Sequence, residues 1–466
     1  MYDTIIIGAG MSGLAAGIRL AHFGQRVCIL ERHNTIGGLN SFYRFGGRDF
    51  DVGLHAVTNF TPKGTRRGPM ARMLRQLRLA WDELSLAPQV GSAIVFPGVT
   101  LSFSNDFEQF EAEVGRHFPR QKDNFRRLVE GLSDYDQLGQ VATGRSAREA
   151  VAAWIDDPLL VEMLFCPLLF YGGARQHDMD FGQFTIMFRA IFMEGLARPM
   201  AGVRLILKRL VSKFKSLGGE LRLRSGVERI VVKDGAVEKI ILENGAELEA
   251  RNVLSSAGWP ETMRLCHDSQ PVGEQPPGEL SFVESISILD TQPHALGHDR
   301  TIVFYNDCAE FSYEKPDELA DVRSGVICSP NNFAYGQPLE EGVMRITSLA
   351  NFDRWQRLSP EAYRLEKLRW YDRIVASAVR FVPDFRSAVI ATDMFTPTTI
   401  RRFTGRSNGA VYGVPEKRYD GRTHLNNLYI CGTDQGFVGI VGTIISGIGI
   451  ANQYLLKTSP AGGTPF

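Results

Sequence analysis

The sequence predicts an α/β chain in which one parallel-sheet domain, assembled from distant segments, is interrupted by an inserted α+β domain. Three observations predict it. The chain opens on a β-branched run, Thr4-Ile5-Ile6-Ile7, followed at once by Gly8-Ala9-Gly10-Met11-Ser12-Gly13. Residues 218–258 alternate apolar and polar side chains between turn dipeptides. Residues 426–456, "NNLYICGTDQGFVGIVGTIISGIGIANQYLL", join a short strand to an apolar run rich in glycine.

Composition sets the frame. A chain of 466 residues, 44% of them hydrophobic, has room for two or three domains with substantial cores. Lys and Arg together number 52, as do Asp and Glu, so no net charge draws the molecule to nucleic acid or an anionic bilayer. Six cysteines without a C-x-x-C pair argue against a disulfide framework and against a metal site. A strand begins almost at the first residue and no signal-peptide order precedes it, so a cytoplasmic location is expected, with peripheral membrane contact left open.

The first element is a βαβ unit. Thr4–Ile7 reads as a buried strand, Leu14, Ile18 and Leu20 mark the apolar face of a helix, Gly24 closes it, and Val27-Cys28-Ile29-Leu30 forms the next parallel strand, ending in Glu31 and Arg32. Gly8 permits the tight turn, Gly10 lets backbone meet a pyrophosphate, and Gly13 lets helix pack on strand. The helix start at Met11 and Ser12 offers free N–H groups to phosphates. Glu31 can accept both hydrogen bonds of a ribose diol. These residues together specify a Rossmann-like dinucleotide site without choosing between NAD and FAD. A second glycine pair, Gly37-Gly38, followed by Leu39, Asn40 and Ser41, would bring more backbone to the diphosphate.

Further along, 218–258 reads as a three-stranded meander with hairpin turns at Asp234-Gly235 and Asn244-Gly245. In 426–456 the apolar content suits a membrane span, but Gly432, Gly436, Gly439, Gly442, Gly447 and Gly449 would each weaken a free helix by roughly 1 kcal/mol relative to alanine. They point instead to close approach of something to the backbone.

These stretches resemble the amine oxidase and phytoene desaturase superfamily, whose FAD domain is glutathione-reductase-like. The segment "FTPTTIRRFTGRSNGAVYG", Phe395 to Gly413, is similar to the carotenoid desaturases, carotenoid isomerases and retinol saturase. The resemblance spans nearly the whole chain, and "FDVGLHAV" is similar to the family strand beneath the flavin. It implies FAD as cofactor, with an FAD-binding domain at 1–65, 200–265 and 420–466 and a substrate domain at 66–199 and 266–419. By the same resemblance Val227 meets the adenine and Ala257 closes the strand returning to the FAD domain. Gly432 and Gly439 let the flavin approach, Asp434 binds ribityl hydroxyls, and N–H groups near Ile440 and Val441 face the pyrimidine edge. The family's arginine after the double glycine is replaced here by Leu39.

The activity so implied is that of an FAD-dependent oxidoreductase acting on an isoprenoid or carotenoid-like polyene. It would desaturate the substrate by hydride transfer to flavin N5 or isomerise it cis–trans. No second G-x-G-x-x-G is present, so quinone or oxygen is the expected electron acceptor rather than a nicotinamide. His55, on the strand expected near the flavin, is either a structural histidine or the proton acceptor. The apolar stretches "PLLVEMLFCPLLFYGGA" and "FTIMFRAIFMEGLA" read as core helices or as a lipophilic tunnel. "KGTRRGPMARMLRQLRL", Lys63 to Leu79, reads as a basic amphipathic helix resting on lipid or simply solvated. A flavin amine oxidase and a non-catalytic prenyl-binding escort protein are the alternative readings.

Overall fold

A computed structural model describes residues 1–133, 143–267 and 275–457; residues 458–466, the end of the third FAD segment, lie outside the described residues. The first strand, Tyr2–Ile7, sits at the centre of a five-stranded sheet. Its order is Leu428–Ile430, Ala250–Ser255, Tyr2–Ile7, Val27–Leu30 and Glu220–Arg222, with every neighbouring pair parallel. Its central strands are buried on both faces, which is why Ile5, Ile6, Ile7, Cys28 and Ile29 form continuous apolar runs rather than alternating ones. The chain thus returns three times to extend a sheet begun at its first residues.

Two helices cover one side of that sheet. Met11–Ala21 starts at Gly10, and Gly24, at φ 77°, turns the chain into the second strand. Gly439–Ile450, the apolar run near the C-terminus, is a buried helix packed against it. Their contact is backbone to backbone: a Cβ on Gly447 would stand 2.0 Å from the carbonyl oxygen of Ser12. Gly447 therefore serves helix packing, and among the described residues no helix is long and apolar enough to cross a membrane.

The meander forms as its turns require. Val227–Lys233 and Ala236–Leu242 pair antiparallel across Asp234 and Gly235, whose φ values of 49° and 72° suit a two-residue hairpin turn. Glu247–Leu248 adds a third strand before Ala250–Ser255 re-enters the parallel sheet.

The remaining strands build a seven-stranded mixed sheet in the order Val389–Phe395, Ser281–Leu289, Gly342–Ala350, Ser324–Cys328, Ile302–Asn306, Ser92–Phe96 and Val99–Phe103. The apolar helices Pro158–Gly172 and Phe181–Phe188 are core helices on this sheet, with Phe165, Phe184 and Phe188 fully buried. Asp106 caps the helix Phe107–His117 by accepting from the Glu108 N–H.

The basic amphipathic segment takes a different place from a lipid-bound one. Its helix is Pro69–Leu77, and Met70, Met73, Leu74 and Leu77 are buried against the two glycine-rich helices, so protein rather than bilayer covers its apolar face. This packing also puts the start of the 66–199 segment into the core of the nucleotide half. An amphipathic stripe shows that a face will be covered, not by what.

The helix contact gives a paired test. Gly447→Ala should destabilise the protein by about 1–3 kcal/mol through overpacking. Gly449→Ala, whose Cβ would have nothing within 4 Å, should be neutral or stabilising by up to about 1 kcal/mol. Urea unfolding of the two variants checks the difference.

Candidate active site

Two adjoining cavities open at the C-terminal ends of the parallel strands, where open α/β sheets bind their ligands. The first has a volume of about 370 Å³. Gly8, Gly10, Met11, Ser12, Glu31, Arg32, Gly37, Gly38, Leu39, Asn40, Val227, Ala257 and Gly432 all line it, so segments more than four hundred residues apart share one groove. Gly13 lies beneath it: a Cβ there would stand 2.2 Å from the Gly8 carbonyl oxygen, which makes its role the packing of helix on strand. Ser41 is turned aside, donating to the Ile36 carbonyl at 2.7 Å.

Glu31 is held by backbone. Its Oε2 accepts from the Ala9 N–H and its Oε1 from the His33 N–H, each at 2.9 Å. Each oxygen keeps a second lone pair, so a diol remains within its capacity. Gly10 has φ −75°, which any residue adopts, yet nothing lies within 4 Å of where its Cβ would be. That space opens on the groove beside a helix N-terminus that no side chain caps. Room at the glycine and uncapped N–H groups fit a pyrophosphate.

Asp434 departs from the ribityl-binding expectation. Its carboxylate is fully buried and committed within the protein. Oδ1 accepts from the Val414 N–H at 3.0 Å, and Oδ2 accepts from the Trp259 N–H at 2.5 Å and from Arg406 at 2.9 Å. Burial opposes its ionisation, but Arg406 and then Lys417 outweigh burial and lower its pKa. Its neighbours Gly432 and Thr433 line the groove instead. Val441 also lies in the core, whereas Gly439 and Ile440 face the second cavity.

That second cavity, about 140 Å³, shares Leu39, Asn40, Thr433 and Thr443 with the first. Phe170, Tyr171, Phe282, Phe395 and Tyr412 line it, together with His55, Thr347 and Glu284. The helix Gly439–Ile450 presents its N-terminus here, again without a side-chain cap. The Tyr171 hydroxyl is buried and has no hydrogen-bond partner among the described residues. An unpaired buried donor costs about 1–3 kcal/mol, which an occupant able to accept its hydrogen bond would recover.

Glu284 is the group that the sequence reading passed over. It is the single charged residue in Ser281–Leu289, a strand buried along its whole length, and that incongruity was a readable signal. Arg345 donates through Nε to Glu284 Oε1 and through its other nitrogens to the carbonyls of Leu54, at 2.9 Å, and Asp51, at 3.1 Å. Burial alone would raise the pKa of Glu284, but Arg345 and then His55 bring it down to about 2. Burial lowers that of His55, with Glu284 opposing only in part. At neutral pH the cavity is therefore lined by a carboxylate and a neutral imidazole, the carboxylate being paired with the guanidinium of Arg345 outside the lining. His55 Nε2 lies 3.1 Å from Thr347 Oγ1, whose hydroxyl donates to Glu284 Oε2 at 3.4 Å. Nε2 also lies 3.5 Å from Glu284 Oε1. An ionised carboxylate on that side keeps the proton on Nε2 and leaves Nδ1 as the basic nitrogen.

Both shifts make the fold acid-labile. An unfolded chain protonates His55 near 6.5 and Glu284 near 4.5 while the fold resists both, so stability present above those values is lost as pH falls, for Glu284 down to about 2.

Comparison with known proteins gives the family and the fold. The model of the flavin containing amine oxidoreductases matches residues 11–280. A prolycopene isomerase of an Oncidium hybrid is 23% identical over 97% of this chain and 83% of its own. A lycopene-forming phytoene desaturase of Pseudescherichia vulneris is 26% identical over 96% of this chain and 97% of its own. An oxidoreductase of Methanosarcina mazei has the same fold, with a TM-score of 0.67 at 15% identity over 97% of this chain and all of that one.

Two outcomes test the site. Gly10→Val should fold with wild-type stability yet bind FAD at least about tenfold more weakly, a loss of about 1.4 kcal/mol, read as a missing rise in Tm when FAD is added to the apoprotein. Arg345→Met should destabilise by about 3–5 kcal/mol because it strands a buried carboxylate. Adding Glu284→Gln should recover part of that loss in urea unfolding.

Proposed function

The chain belongs to the flavin containing amine oxidoreductase family and is an FAD-dependent oxidoreductase, and from that premise we propose that its substrate is an isoprenoid, carotenoid-like polyene. The observation that carries this reading is the composition of the second cavity. Five aromatic rings form its walls, and the one charged side chain among its lining, Glu284, is neutralised by Arg345, leaving no uncompensated charge to hold an ionic substrate. Relatives named for prolycopene and phytoene support the same class.

We assign 1–65, 200–265 and 420–466 to cofactor binding and 66–199 and 266–419 mainly to substrate. Gly8, Gly10, Met11 and Ser12 would hold the diphosphate, Glu31 the ribose, Val227 the adenine, and Gly439 with Ile440 the flavin's pyrimidine edge. Bound FAD supplies the acceptor for a hydride leaving a C–H bond next to the polyene. The protein's part is to exclude water with Phe170, Phe282 and Phe395 and to take the proton. His55 would accept it at Nδ1, with Thr347 and Glu284 holding Nε2–H and stabilising the imidazolium that forms. Reversible passage of that proton would equally serve cis–trans isomerisation. Quinone or oxygen would then reoxidise the cofactor.

An amine is the second reading, since aromatic rings around a flavin also suit a neutral amine. One assay separates the two. The purified yellow protein is incubated with phytoene, prolycopene and a panel of primary amines, aerobically and with a quinone. Desaturated or isomerised polyene is the expected product, with kcat lowered at least about a hundredfold in His55→Gln, the typical share of a general base. Hydrogen peroxide and aldehyde formed from amines alone would overturn the proposal.

A further inference from the structure

Binding pockets for small molecules commonly span about 300–1,000 Å³. At about 140 Å³, the chamber beside the helix Gly439–Ile450 is too small to enclose a polyene, so most of the chain must lie elsewhere. A third cavity, of about 400 Å³, stands behind Leu39, Val52, Phe395 and Ile400, four apolar side chains that line both spaces. Its other walls come from the strand Phe42–Phe45, the end of Val389–Phe395, and the helices Pro397–Thr404 and Pro360–Ala378.

Besides Glu31, His33, Asn34, Thr35 and Arg44 on the nucleotide side, a polar cluster around Asp393 lines this space. The Tyr43 hydroxyl donates to Asp393 Oδ2 at 2.6 Å, and the Met394 N–H donates to Oδ1 at 2.7 Å, so both oxygens of Asp393 are engaged. Lys367 Nζ stands 3.7 Å from Oδ1 and makes no hydrogen bond among the described residues. Burial, and then the charge of Asp393, keep Tyr43 protonated and hence a donor to that carboxylate. The cluster thus offers a half-buried ammonium whose N–H groups can only donate and make no hydrogen bond among the described residues, so an oxygen acceptor on a ligand satisfies it.

We propose that this cavity receives the far end of the polyene and that this end carries an oxygen acceptor, a carboxylate or a carbonyl, bound by Lys367. The proposal rests on the polyene reading and narrows it from a symmetrical hydrocarbon to an oxygenated chain. Leu39 acquires a role here. An arginine at that position would put a charge in the wall between the two spaces, whereas leucine keeps the wall apolar along its length.

The test uses the full-length, FAD-loaded protein. All-trans-retinoic acid and axerophthene, the same polyene with methyl in place of carboxylate, are titrated by quenching of tryptophan fluorescence. The acid should bind at least about tenfold more tightly than the hydrocarbon, as sites built to hydrogen-bond a ligand group discriminate. Lys367→Met should erase that margin by weakening the acid alone, Lys367→Arg should keep it, and flavin content should be equal in all three proteins. Equal affinities in the wild type, or a margin that survives Lys367→Met, would overturn end recognition and leave the polyene reading standing. Failure of both probes to bind would overturn both. A lipophilic quinone offers the same oxygen chemistry: if decylubiquinone displaces the acid and its reduction depends on Lys367, the cavity belongs to the electron acceptor and the proposal fails.

Discussion

The approach of two backbones, with no side chain between them, governs this molecule. The Ser12 carbonyl occupies the space a Cβ on Gly447 would need, so the helix after the first strand and the helix near the C-terminus meet at a distance only glycine allows. Ser446 extends the contact by accepting from the Gly432 N–H at 2.6 Å and donating to Gln435 at 2.5 Å. This brings the turn Gly8–Gly13 and the start of Gly439–Ile450 to opposite ends of one groove. A bulkier pair of helices would give two half-sites too far apart to share a nucleotide.

Charge around the second cavity is neutralised in buried pairs. Two buried pairs, Arg345 with Glu284 and Arg198 with Asp51, brace the segment that carries His55, because both arginines also donate to the Leu54 carbonyl. Burying such ions is expensive unless each is matched. Here each is matched, and the same bonds that satisfy the charges orient the imidazole. The orientation of the imidazole and the bracing of the segment that bears it have one cause. Acid lability follows from that cause as well, since a neutral histidine and an ionised glutamate are both states that protons remove.

The sequence by itself determined the parallel sheet, the hairpin at Asp234-Gly235 and most of the nucleotide groove. These rest on local rules: β-branched runs, glycines at positive φ or at close approach, and an acidic residue at a strand end act over a few residues and leave a readable pattern. The cofactor, FAD, came from likeness of motif rather than from spacing. Only the tertiary structure decided what depends on partners far along the chain. It turned Asp434 toward Arg406 and away from the groove, covered the apolar face of the basic helix with protein, and joined Glu284 through Thr347 to His55, 229 positions away in number. A buried carboxylate in an apolar strand signals that something must neutralise it, but a one-dimensional pattern does not say which arginine, because electrostatic and packing energies depend on distance in space and not along the chain.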